Sequence, residues 1–87
     1  MTEGSASITA WTVYIVQCAD SSLYTGIAKN VGARIERHNA GKGAKYTRGR
    51  RPVTLVYEEI VDGHGDALRR EHMIKRLSLD KKRQLIG

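Results

Sequence analysis

The chain has 87 residues and one cysteine, with 15 Lys and Arg against nine Asp and Glu for a formal net charge of +6. This length fits one small domain, one cysteine excludes an internal disulfide framework and cysteine-rich zinc sites, and no apolar run approaches the ~20 residues that span a bilayer. We therefore expect a cytoplasmic protein that does not bind membranes.

The first ten residues are small and polar and predict a frayed or disordered tail, so residues 11–87 are expected to form the single domain. Residues 11–18 are apolar on both faces and predict a central strand. A polar turn and a second strand at 23–28 complete a hairpin. A third strand is predicted at 53–61.

Three helices are predicted, each after a polar capping residue. Asn30 caps the first, which ends before Gly41 and places Val31, Ile35 and His38 on one stripe. Asp66 caps the second, over 67–77. Ser78 then starts a short terminal helix. The order β-β-α-β-α-α gives an α+β fold, in which a small three-stranded antiparallel sheet with strand 1 central is flanked by helices.

Positive charge is concentrated after residue 28. Residues 1–28 contain two acidic and no basic residues, whereas 29–87 contain all 15 basic ones. A loop is predicted at 41–52, where glycines alternate with lysines and arginines. A one-sided basic field attracts nucleic acid, but a net charge of this size also serves solubility alone. Charge leaves both interpretations open.

Polar residues interrupt the apolar faces of both long helices. Arg34 and His38 are neighbours at i and i+4 beside the packing face of the first helix. Glu71 shares a face with Ala67 and Ile74 in the second. Each has a structural alternative: a snorkelling arginine, a histidine bonded to a backbone carbonyl, and a glutamate paired with a nearby arginine. The functional alternative is a polar cleft.

Tyr14 and Tyr24 lie in the two strands of the hairpin, where a tyrosine commonly serves packing. Their relative orientation depends on the length of the connection. A four-residue turn places the two side chains on opposite faces of the sheet, whereas an odd-length connection places them on the same face. The sequence does not decide between these registers.

Taken together, Val13-Tyr14-Ile15, Tyr24-Thr25-Gly26, Arg34, His38 and Glu71 are spaced as in one known group of enzymes. This pattern resembles the GIY-YIG nuclease superfamily, and the resemblance extends from about Trp11 to Ile86. The run GKGAKYTRG makes the chain most similar to the small stand-alone bacterial members.

The resemblance implies hydrolysis of DNA phosphodiester bonds with a single divalent cation, Mg²⁺ or Mn²⁺. Glu71 would bind the metal, which commonly takes only one or two carboxylates beside water and phosphate. Arg34 would bind the scissile phosphate. Tyr24, hydrogen-bonded to Tyr14, would orient the attacking water, and His38 would support them. Gly26 would keep the strand bare beside the substrate.

The expected partner is DNA, branched or single-stranded, with a second protein supplying specificity and the monomer as the default state. The expected nucleic-acid-binding residues are Lys29, Lys42, Lys45, Tyr46, Arg48, Arg50 and Arg51. Many family members carry an Asn after the metal-binding Glu, and residues 72–87 contain none. This departure motivates the alternative, a nucleic-acid-binding module of the same fold with weak or no catalysis.

Overall fold

The computed structural model describes residues 9–87, so residues 1–8 of the tail expected at 1–10 lie outside the described part of the chain, whereas Ala10 belongs to the first strand and not to a tail. The elements are β1 (Ala10–Gln17), β2 (Leu23–Ala28), α1 (Val31–Asn39), α2 (Lys45–Arg48), β3 (Thr54–Asp62), α3 (His64–Lys75) and α4 (Leu79–Ile86). No helix within residues 9–87 is long and apolar enough to cross a membrane.

The three strands form one antiparallel sheet in the order β2-β1-β3. The prediction that the first strand is central is confirmed, and its residues from Thr12 to Val16 are all buried. An apolar run that is covered on both faces is typical of a strand in the interior of a sheet. The α+β class predicted from the sequence is therefore confirmed.

Helices pack on both faces of the sheet and build two core clusters. On one face, Tyr14 and Val16 pack with Val31 and Ile35 of α1. On the opposite face, buried and partly buried residues of the sheet, α3 and α4 form the second cluster, which includes Val13, Ile15, Ala67, Ile74, Leu85 and Ile86. The alternating side chains of β1 thus supply both cores.

The connection between β1 and β2 is the five residues 18–22, because Gln17 pairs with Leu23. Ser21 adopts φ 70°, and two backbone hydrogen bonds between Cys18 and the turn close it. The odd length selects the second of the two registers left open by the sequence. Tyr14 therefore pairs with Gly26, Val16 pairs with Tyr24, and both tyrosines lie on one face.

Two local features differ from the sequence prediction. The loop at 41–52 contains a single helical turn, α2. Helix α3, which the sequence predicts as the second helix, begins at His64, and its N-cap is Gly63 rather than Asp66. Gly63 has φ 94°, a conformation that glycine adopts without penalty, so the chain turns directly from β3 into the helix. Asp66 instead lies in the first turn, where its negative charge interacts favourably with the positive end of the helix dipole.

Candidate active site

A chain of buried hydrogen bonds links β1, α1 and the basic loop, by which we mean residues 41–52. The Tyr14 hydroxyl lies 2.9 Å from Nε2 of His38, and Nδ1 of His38 lies 2.8 Å from Oγ1 of Thr47. Thr47 in turn donates its hydroxyl proton to the carbonyl oxygen of Ala44, at 2.9 Å. Tyr14, His38 and Thr47 are each at most 1% exposed. The site is therefore fixed from three separate elements.

The Thr47 bond determines which nitrogen of His38 carries the proton. Because the Thr47 hydroxyl proton is used by the Ala44 carbonyl, its oxygen accepts a hydrogen bond from Nδ1–H of His38. Burial lowers the pKa of His38 below 6.5, and the positive charge of Arg34 lowers it further. A neutral ring with its proton on Nδ1 has a free lone pair on Nε2, so Tyr14 donates its hydroxyl proton there.

Two glycines make room for these side chains. A Cβ atom on Gly26 would lie 2.6 Å from the Tyr14 oxygen, and one on Gly43 would lie 2.3 Å from Nδ1 of His38. The Tyr14 ring thus crosses Gly26, and the basic loop closes against His38 at Gly43. We expected Gly26 to leave open space for substrate beside the strand, but the Tyr14 side chain occupies that space.

Thr47 and Gly43 are site residues that the sequence analysis missed. Both lie in the run GKGAKYTRG, where the sequence predicts only a basic loop, and neither carries a charge or lies on a periodic face. The available signal was the presence of a second glycine and a hydroxyl residue within a loop otherwise rich in lysine and arginine.

Tyr24 lies half-buried beside the chain of hydrogen bonds. Its ring meets His38 edge-on, with centroids 5.5 Å apart at 66°, and it stacks on Tyr46 with centroids 5.8 Å apart at 22°. The Tyr14 hydroxyl is hydrogen-bonded to His38 rather than to Tyr24, so the expected direct tyrosine pair is replaced by two tyrosines that share one histidine.

Burial and nearby charges change the pKa of the Tyr14 hydroxyl. Burial raises the pKa of Tyr14 to about 12, and the nearby Tyr24 and Glu71 also raise it, whereas the charge of Arg34 beside it acts in the opposite direction. Arg34 is exposed on α1, four residues before His38. Tyr14 therefore remains protonated at neutral pH, with the charges of Arg34 and Glu71 acting on its pKa in opposite directions.

Glu71 lies on α3 with its side chain 12% exposed, and it pairs with a lysine, not with the arginine that the structural alternative named. Lys75 Nζ lies 3.2 Å from Oε2 of Glu71 and 5.8 Å from the centroid of the Tyr24 ring. Glu71 is thus connected to Tyr24 through Lys75 and to Tyr14 through its charge.

The donor set at Glu71 fits a divalent cation that also uses oxygens from a bound phosphate. Residues 9–87 contain no group of three or more His, Cys, Asp and Glu that could hold a metal. A protein-only cage for zinc or calcium is therefore absent from the described residues. Mg²⁺ differs, because it retains several waters and is commonly bound by one or two carboxylates together with substrate phosphate.

The residues expected to bind nucleic acid divide into two groups. Lys42, Lys45 and Arg48 are exposed on the basic loop. Arg50 instead contacts other residues of the protein. Its Nε lies 3.1 Å from Oδ2 of Asp20, and its guanidinium lies over Tyr46 with Cζ 4.0 Å from the ring centroid.

Arg51 also contacts other residues of the protein, since it donates to the carbonyl oxygens of Arg48 and Asn39. Lys29 lies with its Nζ 5.6 Å from the centroid of the Trp11 ring. Tyr46 is 39% exposed, but its contacts with Tyr24 and Arg50 occupy part of its ring. The seven residues therefore do not form one uniform surface.

The α+β fold, a three-stranded antiparallel sheet flanked by helices, is that of a GIY-YIG domain. Residues 10–84 match the GIY-YIG catalytic domain family, and the chain belongs to it. The sequence-based resemblance is confirmed.

The relatives are small proteins of similar length. A UPF0213 protein of Staphylococcus aureus is 58% identical over 74 residues, which are 85% of this chain and 90% of the relative. Among solved structures, a UPF0213 protein of Bacillus halodurans is 47% identical with a TM-score of 0.57, covering 88% of this chain and 82% of that one. A protein of E. faecalis is 32% identical with a TM-score of 0.60, covering 86% and 80%.

Proposed function

We propose that this chain is a divalent-metal-dependent endonuclease that hydrolyses DNA phosphodiester bonds, with preference for DNA structure rather than sequence. We further propose that it acts in the cytoplasm in DNA repair or recombination, as a monomer whose residues 11–87 work as one unit. The observation that supports this most is the contact of both Tyr14 and Tyr24 with His38, with Glu71 linked to Tyr24 through Lys75, in a member of the GIY-YIG catalytic domain family.

In this mechanism the two tyrosines have different tasks. Tyr14 donates a hydrogen bond to His38 and keeps its proton, because burial raises its pKa to about 12, so it serves as a fixed hydrogen-bonding group rather than as a base. Tyr24 has its hydroxyl outside this chain of hydrogen bonds and is only half-buried, so it orients the attacking water. His38 fixes both rings.

Arg34 and Glu71 handle the charges of the phosphate. Arg34 is exposed, and its planar guanidinium binds two phosphate oxygens at once. Glu71 holds Mg²⁺ or Mn²⁺, which when bound stabilises charge on the phosphoryl oxygens and lowers the pKa of water. The exposed Lys42, Lys45 and Arg48 bind the flanking phosphates and position the strand.

The test is incubation of the purified protein with branched, nicked and single-stranded DNA in Mg²⁺, in Mn²⁺ and in EDTA. We expect metal-dependent cleavage with the highest rate on one class of branched or nicked substrate. Arg34→Ala should reduce the rate about 100-fold or more, whereas Arg83→Ala, which removes an exposed arginine from α4, should leave it unchanged. Equal cleavage by wild type and Arg34→Ala would reject the assignment.

The second candidate is a nucleic-acid-binding module without useful catalysis. The exposed Lys42, Lys45 and Arg48 favour it, together with the absence of Asn from residues 72–87. Each phosphate contact contributes a slope of about −0.9 to the dependence of log affinity on log salt for duplex DNA. Steep salt dependence with no metal-dependent product after long incubation would favour the module over the enzyme.

A further inference from the structure

Lys75 contacts both Glu71, to which the proposed function assigns the metal, and Tyr24, to which it assigns the attacking water. It lies in the last turn of α3, four residues after Glu71, so that the two side chains emerge on the same side of the helix. Its Nζ is 3.2 Å from the Glu71 carboxylate and 5.8 Å from the centroid of the Tyr24 ring. An ammonium ion at this point neutralises Glu71 in the free protein.

The two partners of this ion pair differ in freedom. The Glu71 side chain is 12% exposed and the Lys75 side chain is 46% exposed. A lysine carries its charge on a flexible four-carbon stem, and the lysine side of this i,i+4 pair is open to water, which weakens the pair. Lys75 therefore leaves more readily than Glu71, and the carboxylate stays in place when the pair separates.

A divalent cation at Glu71 would compete with this ammonium ion. The carboxylate oxygen that faces Lys75 cannot serve both cations at full strength, and the two positive charges repel each other at this separation. The ammonium ion needs another anion when the metal enters. A phosphate held against Tyr24 would be the nearest new partner, because Nζ already lies beside that ring.

We propose that Lys75 is an exchangeable counter-ion that couples metal binding to nucleic-acid binding. In the free protein it occupies the Glu71 carboxylate and lowers the affinity for the metal. When nucleic acid binds, Lys75 transfers to a backbone phosphate and releases the carboxylate to the cation. This inference rests on the proposed function, and it adds a positioning residue that disfavours metal binding before substrate is present.

The experiment measures Mn²⁺ affinity by titration calorimetry, with and without a cleavage-resistant phosphorothioate oligonucleotide. Without nucleic acid, Lys75→Gln should bind Mn²⁺ about three- to tenfold tighter than wild type. Lys75→Arg, which keeps the charge, and Lys81→Gln, which removes an exposed lysine from α4, should match wild type. The oligonucleotide should increase Mn²⁺ affinity more in wild type than in Lys75→Gln, because only wild type has an ammonium ion that a phosphate can draw away from Glu71, and an equal increase in both would reject the coupling.

The two levels of the proposal fail in different ways. If Glu71→Gln binds Mn²⁺ as well as wild type, the metal site of the proposed function is wrong and the coupling is wrong with it. If Glu71→Gln loses Mn²⁺ while Lys75→Gln shows equal or weaker affinity than wild type, the metal site stands and the role of Lys75 is rejected.

Discussion

The Tyr14 hydroxyl lies 2.9 Å from Nε2 of His38, and it is the donor of that hydrogen bond. The direction follows from Thr47, whose own proton is used by a backbone carbonyl, so that its oxygen accepts from the other ring nitrogen. The chain of bonds is thus polarised from Tyr14 toward the basic loop. This makes the loop part of the site, in addition to any contact it makes with nucleic acid.

The first prediction concerns Thr47. Thr47→Val keeps the shape of the side chain but removes the acceptor for Nδ1–H of His38. Leaving this buried donor unsatisfied should lower the free energy of unfolding by about 1–3 kcal/mol, and the shift of His38 should slow cleavage about tenfold. Urea denaturation and single-turnover cleavage measure the two effects. Thr54→Val, on the exposed part of β3, is the control and should change neither.

A second prediction tests the close approaches at the two glycines. Gly26→Ala and Gly43→Ala each place a Cβ atom within 3 Å of a buried ring, at Tyr14 and His38 respectively. Each should lower the free energy of unfolding by about 1–3 kcal/mol because the ring must move. Gly49→Ala is the matched control, since nothing lies within 4 Å of its Cβ position.

Equal stability of Gly43→Ala and Gly49→Ala would show that the loop does not close on His38. Equal stability of Gly26→Ala and Gly49→Ala would show that the Tyr14 ring does not cross β2. Both variants should also weaken activity, because each displaced ring belongs to the same chain of hydrogen bonds.

The third prediction is a pH dependence of stability from His38. Burial and the charge of Arg34 lower its pKa below 6.5 in the folded protein, whereas the unfolded chain has the ordinary value. Between these two values the unfolded state binds more protons, so acid favours unfolding. The contribution of His38 is fully present above pH 6.5 and is lost as the pH falls below 6.5 toward the folded pKa.

Proton NMR of the His38 ring measures this directly. Its titration midpoint should lie below 6.5, and the loss of stability between about pH 7.5 and pH 5.5 should be smaller in His38→Gln than in wild type. A midpoint at or above 6.5 would contradict the neutral, Nδ1-protonated ring on which the direction of the hydrogen bonds depends.

A fourth prediction separates the two tyrosines. Tyr24→Phe removes the hydroxyl that we assign to the attacking water and should slow single-turnover cleavage about 100-fold or more. Tyr14→Phe removes the donor to His38, which positions rather than reacts, and should slow cleavage only about tenfold. A larger loss in Tyr14→Phe than in Tyr24→Phe would reverse the assignment of roles.

Much of the fold was predictable because each strand and helix carries its own local pattern. The bounds of β2 and the cap of α1 at Asn30 agree with the prediction, since turn residues and an amide capping side chain mark them directly. The side-chain oxygen of Asn30 accepts from the backbone N–H of Ala33 at 3.0 Å.

The hairpin register was not predictable, because it depends on whether Cys18 pairs with Leu23 of β2 or belongs to the turn between the strands. A one-residue change moves Tyr24 to the other face, and only the folded turn, with Ser21 at φ 70°, decides this. Thr47 and Gly43 were missed for a related reason. Their roles arise when the loop folds back onto α1, a contact that no periodicity in the sequence indicates.

The most direct test of the central claim is the single-turnover cleavage rate of Glu71→Gln in Mn²⁺, beside Glu36→Gln as the matched change on the exposed side of α1. If Glu71 holds the metal for phosphodiester hydrolysis, Glu71→Gln should be slower than wild type by about 100-fold or more, and Glu36→Gln should cleave at the wild-type rate. Cleavage by Glu71→Gln at the wild-type rate would contradict the account.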